Sequence, residues 1–269
     1  MSNELSHHGI KGQKWGVRRF QNKDGSLTPA GEKRYYVESD KKVVDNNDGK
    51  SSTIPKGFKF NRVGQATLDV NQAGALYVSS GKADAARYVR ALGPTLMGKL
   101  LKTAGTTVQH IEVKEDLKKS SIKETSKLTA ELLKSNPKLA EEVNKSIYAM
   151  PVGKEIDQKL ISQAIKNPDS KDAKLIAYAV SAMLGDPNFK PEAMQVYEHF
   201  RKNGYDAIPD LNDTLTGTSE TATIVINPNK LKVTSTTTIT KDVMKEGKKY
   251  VKSLEKLKVS DIFDEDGDE

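Results

Sequence analysis

The sequence contains no cysteine, which excludes disulfides, thiolate metal centres and a thiol nucleophile. It has one tryptophan and an aromatic fraction of 6%, so few large rings are available for a core or for stacking on bases. Histidine is scarce too: His7 and His8 are joined only by His110 and His199, and adjacent ligands without thiolates make a poor zinc site. No metal is expected. No apolar run approaches the roughly 20 residues that a membrane-spanning helix requires. Met1 to His8 lacks the apolar centre of a secretory signal. The expectation is a chain made in a cytoplasm, with no membrane partner and no export by a signal peptide.

What is present is a polar but still globular composition. In 269 residues, 36% are hydrophobic and 29% charged, enough to bury a substantial core in one large domain with appendages or in two small ones. The net charge of +7 and a pI near 9.2 permit a polyanionic partner. Lysine and glutamate are interspersed through much of the chain, which reads more simply as a solvated surface. Nucleic acid is allowed by charge, but no recognition motif supports it.

Charge and glycine divide the chain into zones. Residues 1–36 form a basic, glycine-rich module in which Gly9, Gly12 and Gly16 space Trp15 among Lys11, Lys14, Arg18 and Arg19, too glycine-rich for a stable helix. Residues 37–53 are polar, rich in turn formers from Asp45 to Lys50, and read as a linker. Residues 54–240 form the main domain. Residues 241–269 comprise an amphipathic helix from Lys241 to Leu257 and an acidic tail.

Within the main domain the apolar period changes twice. FKFNRV (Phe58 to Val63), ALYVSS (Ala75 to Ser80) and Thr106 to Val113 are β-prone runs, with a helix opening at Gly81-Lys82. From about Leu117 to Lys202 the period is helical. Starts are expected at Asn136-Pro137, at Asp169-Ser170 and at Pro191, the last ahead of a core stripe of Met194, Tyr197 and Phe200. Strands return at GYDAI, TATIVINP and KVTSTTTIT. Strands at both ends with helices between them predict an α+β fold rather than alternating βαβ units.

The text HHGIKGQKWGVRRF and its continuation to Arg34 resemble a block found on many proteins of tailed phages and prophages of Gram-positive hosts. The resemblance implies a shared docking or delivery element. Lys14, Trp15, Arg18, Arg19 and Phe20 are residue types that anchor small interfaces, and they are the candidate partner-binding residues. The alternative is a basic arm whose Trp15 packs back on its own domain.

The domain that follows resembles the ADP-ribosyltransferases, as a split sheet with a helical insertion. In that family an early strand carries an Arg or His that holds NAD, a second strand carries an aromatic and a Ser/Thr pair, and a late strand begins with the catalytic Glu. The matching positions are Arg62 in FKFNRV, and Tyr77, Ser79 and Ser80 in LYVSS. Glu220 is the acid ahead of TATIVINP. The pattern is broken at the last place, because aligning IVINP with the family strand puts Ala222 where the acid belongs. Asp206, Asp210 and Asp213 stand just before and could substitute, although carboxylates in such a turn more often cap and orient loops.

The expected function is therefore that of a phage structural or virion-associated protein without turnover and without cofactor. It would be found in the virion or the host cytoplasm, with other phage structural proteins or a host protein as partners. The alternative is a mono-ADP-ribosyltransferase using NAD.

Overall fold

The computed structural model describes residues 36–64, 73–92, 107–215, 219, 221–241 and 243–245. Among the described residues, nine strands and the helices between them form an α+β arrangement with two sheets. The strands are β1 (Val44–Asp45), β2 (Ser51–Ile54), β3 (Lys59–Gly64), β4 (Leu76–Val78), β5 (Thr107–Val113), β6 (Leu117–Ser120), β7 (Ala207–Pro209), β8 (Thr223–Val225) and β9 (Leu231–Thr238). One sheet is six-stranded, in the order β1-β2-β6-β7-β8-β4, and the other is three-stranded, β3-β5-β9. All pairings are antiparallel except β6 with β7, which meet in parallel at Lys119 and Ala207. Among the described residues, one backbone bridge links the sheets, where Asn61 and Ser79 exchange hydrogen bonds of 2.7 and 3.0 Å.

Side-chain alternation places the core. Phe60 and Ile111 from the small sheet and Leu76, Val78, Leu117, Ala207 and Val225 from the large one share a single buried cluster, so these faces pack on each other. The opposite face of the large sheet, with Tyr77, Ile208 and Ile224, packs against the helices. Helix α1 (Lys82–Leu92) lays Ala85, Ala86 and Val89 against Val63 and Val108 of the small sheet.

The helices between β6 and β7 begin where their sequences supply caps. Ser121 accepts from Glu124 N at 3.1 Å to open α2 (Ile122–Ser135). Asn136 accepts from Leu139 N at 3.2 Å ahead of Pro137 in α3 (Pro137–Lys145). Asp157 opens α4 (Gln158–Lys166) and Ser170 opens α5 (Lys171–Leu184) by bonds of 2.7 and 3.3 Å. In α6 (Lys190–Lys202), Pro191 occupies the first turn, where its missing N–H costs nothing.

Four expectations change. Residues 37–53 are not a linker: β1 lies in this span and most of β2 does, β2 pairs with β6, and the turn between β1 and β2 is built by Asp48, whose carboxylate accepts from Lys50 N and Ser51 N at 2.7 Å each. Tyr36, assigned to the basic module, is buried, and the neighbouring Val37 is clasped by the Asn61 amide. Leu117–Ser120 is a strand, not the start of the helical region. Met194 is 50% exposed, so the stripe on α6 is held by Ala193, Val196, Tyr197 and Phe200 instead. Of the expected C-terminal helix, only 241 and 243–245 are among the described residues, with Val243 buried.

Candidate functional site

Beside the Asn61–Ser79 bridge lies a cavity of about 190 Å³, lined by Asn61, Arg62, Val63, Tyr77, Val78, Ser79 and Tyr88. Three of the residues singled out in the sequence, Arg62, Tyr77 and Ser79, therefore meet at the seam between the sheets. Ser80 does not line it. Glu220 and the docking residues Lys14, Trp15, Arg18, Arg19 and Phe20 lie outside the described residues.

Each wall residue is positioned by its strand. Arg62 faces Gln109 across the β3–β5 ladder and donates to its side-chain oxygen at 2.8 Å. The guanidinium curls over Gly64, where a Cβ would collide with it. Tyr77 points to the helical side of the large sheet, and its hydroxyl lies 3.2 Å from that of Tyr197 on α6. Burial, followed by Tyr197, raises the Tyr77 pKa well above the ordinary phenol range. Ser79 is 1% exposed, and its Oγ has no hydrogen-bond partner among the described residues. Among the described residues, the cavity walls thus carry an orphan hydroxyl at Ser79, a cation engaged by Gln109 at Arg62, and no carboxylate.

The carboxylates stand one layer behind. Tyr88, on α1, donates its hydroxyl to Asp213 Oδ2 in α7 (Leu211–Leu215). Burial, and then the Asp213 charge, raise the Tyr88 pKa, so it stays a donor. Asp210 caps α7, its Oδ1 accepting from Asp213 N at 3.3 Å and from Ser181 at 3.4 Å. Burial first, and then Asp213, push the Asp210 pKa up to about 7. Asp213 is also raised by burial.

Asp84 closes the cluster. Its Oδ1 accepts from Arg87 at 3.1 Å, and its Oδ2 accepts from Thr221 N at 2.9 Å and Thr221 Oγ1 at 2.5 Å. Thr221 Oγ1 in turn accepts from Ser80 N at 2.9 Å and Gly81 N at 3.2 Å. Free backbone donors at a helix start are a ready anion site, but at α1 these two are taken by the chain's own threonine. The entrance to β8 is thus formed by Thr221, bound to Asp84, and Ala222, which is buried at 3% exposure.

Sequence reading missed Asp84, Arg87, Tyr88 and Thr221. The available signal was a carboxylate, a cation and a phenol at i, i+3 and i+4 on one helix, a spacing that places them on one face. Among the described residues, no cluster of His, Cys, Asp and Glu has the make-up of a metal site.

The profile of a family of unknown function, DUF7211, matches residues 1–22. No curated protein and no solved structure matches the chain.

Proposed function

We propose that this chain is a bacteriophage structural or virion-associated protein, a head or neck component or ejected cargo, whose α+β domain performs no turnover. The observation that carries the absence of turnover is the occupied start of α1, where Thr221 takes the amides of Ser80 and Gly81 that an anionic cofactor would need. Two further features support it. Arg62 is engaged by Gln109, and the cavity of about 190 Å³ falls below the roughly 300–1,000 Å³ of ordinary small-molecule sites. The N-terminal block supplies the phage association. Its match to a family over residues 1–22 fits a short module placed on the protein for docking to other phage structural proteins or to a host protein.

A second reading, NAD-dependent mono-ADP-ribosylation of a host target, is favoured by one observation: Arg62, Tyr77 and Ser79 line a single cavity at the split between the sheets. It requires a carboxylate at the reacting sugar, either Glu220 or Asp213 reached through Tyr88.

Two experiments separate the readings. Mass spectrometry of purified particles should find this chain in the virion, and its absence there removes the first reading. Incubation with NAD should give neither thermal stabilisation nor nicotinamide release. Cleavage that is lost in Glu220→Ala or Asp213→Asn would establish the enzyme instead.

A further inference from the structure

Between α3 and α4 the chain makes a short 3-10 helix, Ile147–Val152, beside a groove of about 420 Å³ whose walls include Lys145, Ile147, Met150, Lys154 and Glu155. Tyr148, Ala149 and Val152 of this helix pack on the helical core. Residues three apart eclipse one another in such a helix, so Ile147 and Met150 form one row. They are 67% and 75% exposed, more than any other large apolar side chain among the described residues. The groove is built in advance by its own chain. Asn144 clasps Ile156 at both backbone groups, accepting from its N at 2.9 Å and donating to its O at 3.2 Å.

Lysines flank the apolar row. Lys145 pairs with Glu142 at 3.2 Å and Lys154 with Asp172 at 2.9 Å, and exposed pairs of this kind contribute little and are open to exchange. With Glu155 also on the wall, the lining carries one net positive charge. Elsewhere in the sequence one segment has the matching pattern. Residues 259–269 hold six carboxylates and no base, so with a net charge of +7 the rest of the chain carries +13. Within that segment Ile262 and Phe263 stand together between Asp261 and Asp264, an apolar pair flanked by the opposite charge. The basic block around Trp15 would instead bring cations against Lys145 and Lys154. From Lys245, which the structure describes, to Asp261 the chain can span up to about 50 Å, and a domain of this size is roughly 40 Å across.

We propose that residues 259–269 dock in this groove of their own chain. Ile262 and Phe263 cover Ile147 and Met150, and the flanking carboxylates exchange into the ion pairs of Lys145 and Lys154. A tethered segment acts at an effective concentration on the order of millimolar, so contacts too weak to hold a free peptide suffice. The docked segment shields the exposed apolar row and keeps other acidic peptides out of the groove.

The test is zero-length carbodiimide cross-linking of the full chain, which joins a lysine to a carboxylate in contact with it, read by peptide mass spectrometry. The Lys123–Asp169 pair at 2.7 Å is the internal standard. Residues 261–269 should link chiefly to Lys145 and Lys154, in a yield independent of protein concentration. Phe263→Ala and Met150→Asp should each lower that yield about tenfold and leave the melting temperature nearly unchanged, because Met150 is exposed. An equal mixture of isotopically heavy and light chains separates links within a copy from links between copies. Heavy–light links would make the groove a contact between copies and overturn docking within one chain. Links spread over exposed lysines such as Lys202, whose side chain is 72% exposed against 66% for Lys145, or links unaffected by either substitution, would overturn the proposal as well.

Discussion

Asp210 is 3% exposed, and a carboxylate held there is favoured in its protonated form. Its pKa near 7 exceeds the unfolded value of about 3.9, so folding takes up a proton between about pH 4 and pH 7. The stabilisation is complete below pH 4 and is lost as pH rises through 7. Asparagine can keep the cap on α7 without the charge. Asp210→Asn should therefore melt higher than wild type at pH 8, by about 1–3 kcal/mol, and the slope of stability between pH 4 and pH 7 should flatten. Urea melts at several pH values check both. At this scale the sequence exposed the strand residues of the cavity, because Arg62, Tyr77 and Ser79 lie inside short β-prone runs. It hid Tyr88 and the bond that joins it to Asp213, since nothing in linear spacing announces a hydrogen bond across 125 residues.

Helix starts were the most legible elements, because capping is local chemistry. Ser170, Asn136-Pro137 and Pro191 each sit where their residue types predict. Ser170→Ala should cost about 1 kcal/mol, visible as a lower urea midpoint at unchanged slope. Strands β2 and β6 were illegible for the opposite reason. SSTI and LKKS carry little apolar signal, and their pairing joins Ser51 to Ser120, far apart in the chain. The link between α1 and the entrance to β8 is likewise tertiary. Thr221→Val removes the acceptor for two amides and one donor to the buried Asp84, and should destabilise by about 1–3 kcal/mol. Faster amide exchange at Ser80 and Gly81 would mark the loss as local to the start of α1.

For the whole molecule, the α+β class followed from strands flanking a helical region, and the sheets do combine strands from both ends of that region. Among the described residues, no helix is long and apolar enough to cross a membrane. If residues 1–22 dock a partner, Trp15→Ala should abolish co-sedimentation with head or neck components while leaving the melting temperature nearly unchanged. A large fall in melting temperature would place Trp15 in the core instead.

The parallel contact between Lys119 and Ala207 has a topological corollary. Everything from 121 to 206 is one crossover connection, whose two ends return to adjacent strands about 4.8 Å apart. Such a span can be exchanged as a cassette. Another helical body with the same closing distance could be spliced between β6 and β7 without cutting the remaining sheet, provided it brings an apolar face to cover Tyr77, Ile208 and Ile224.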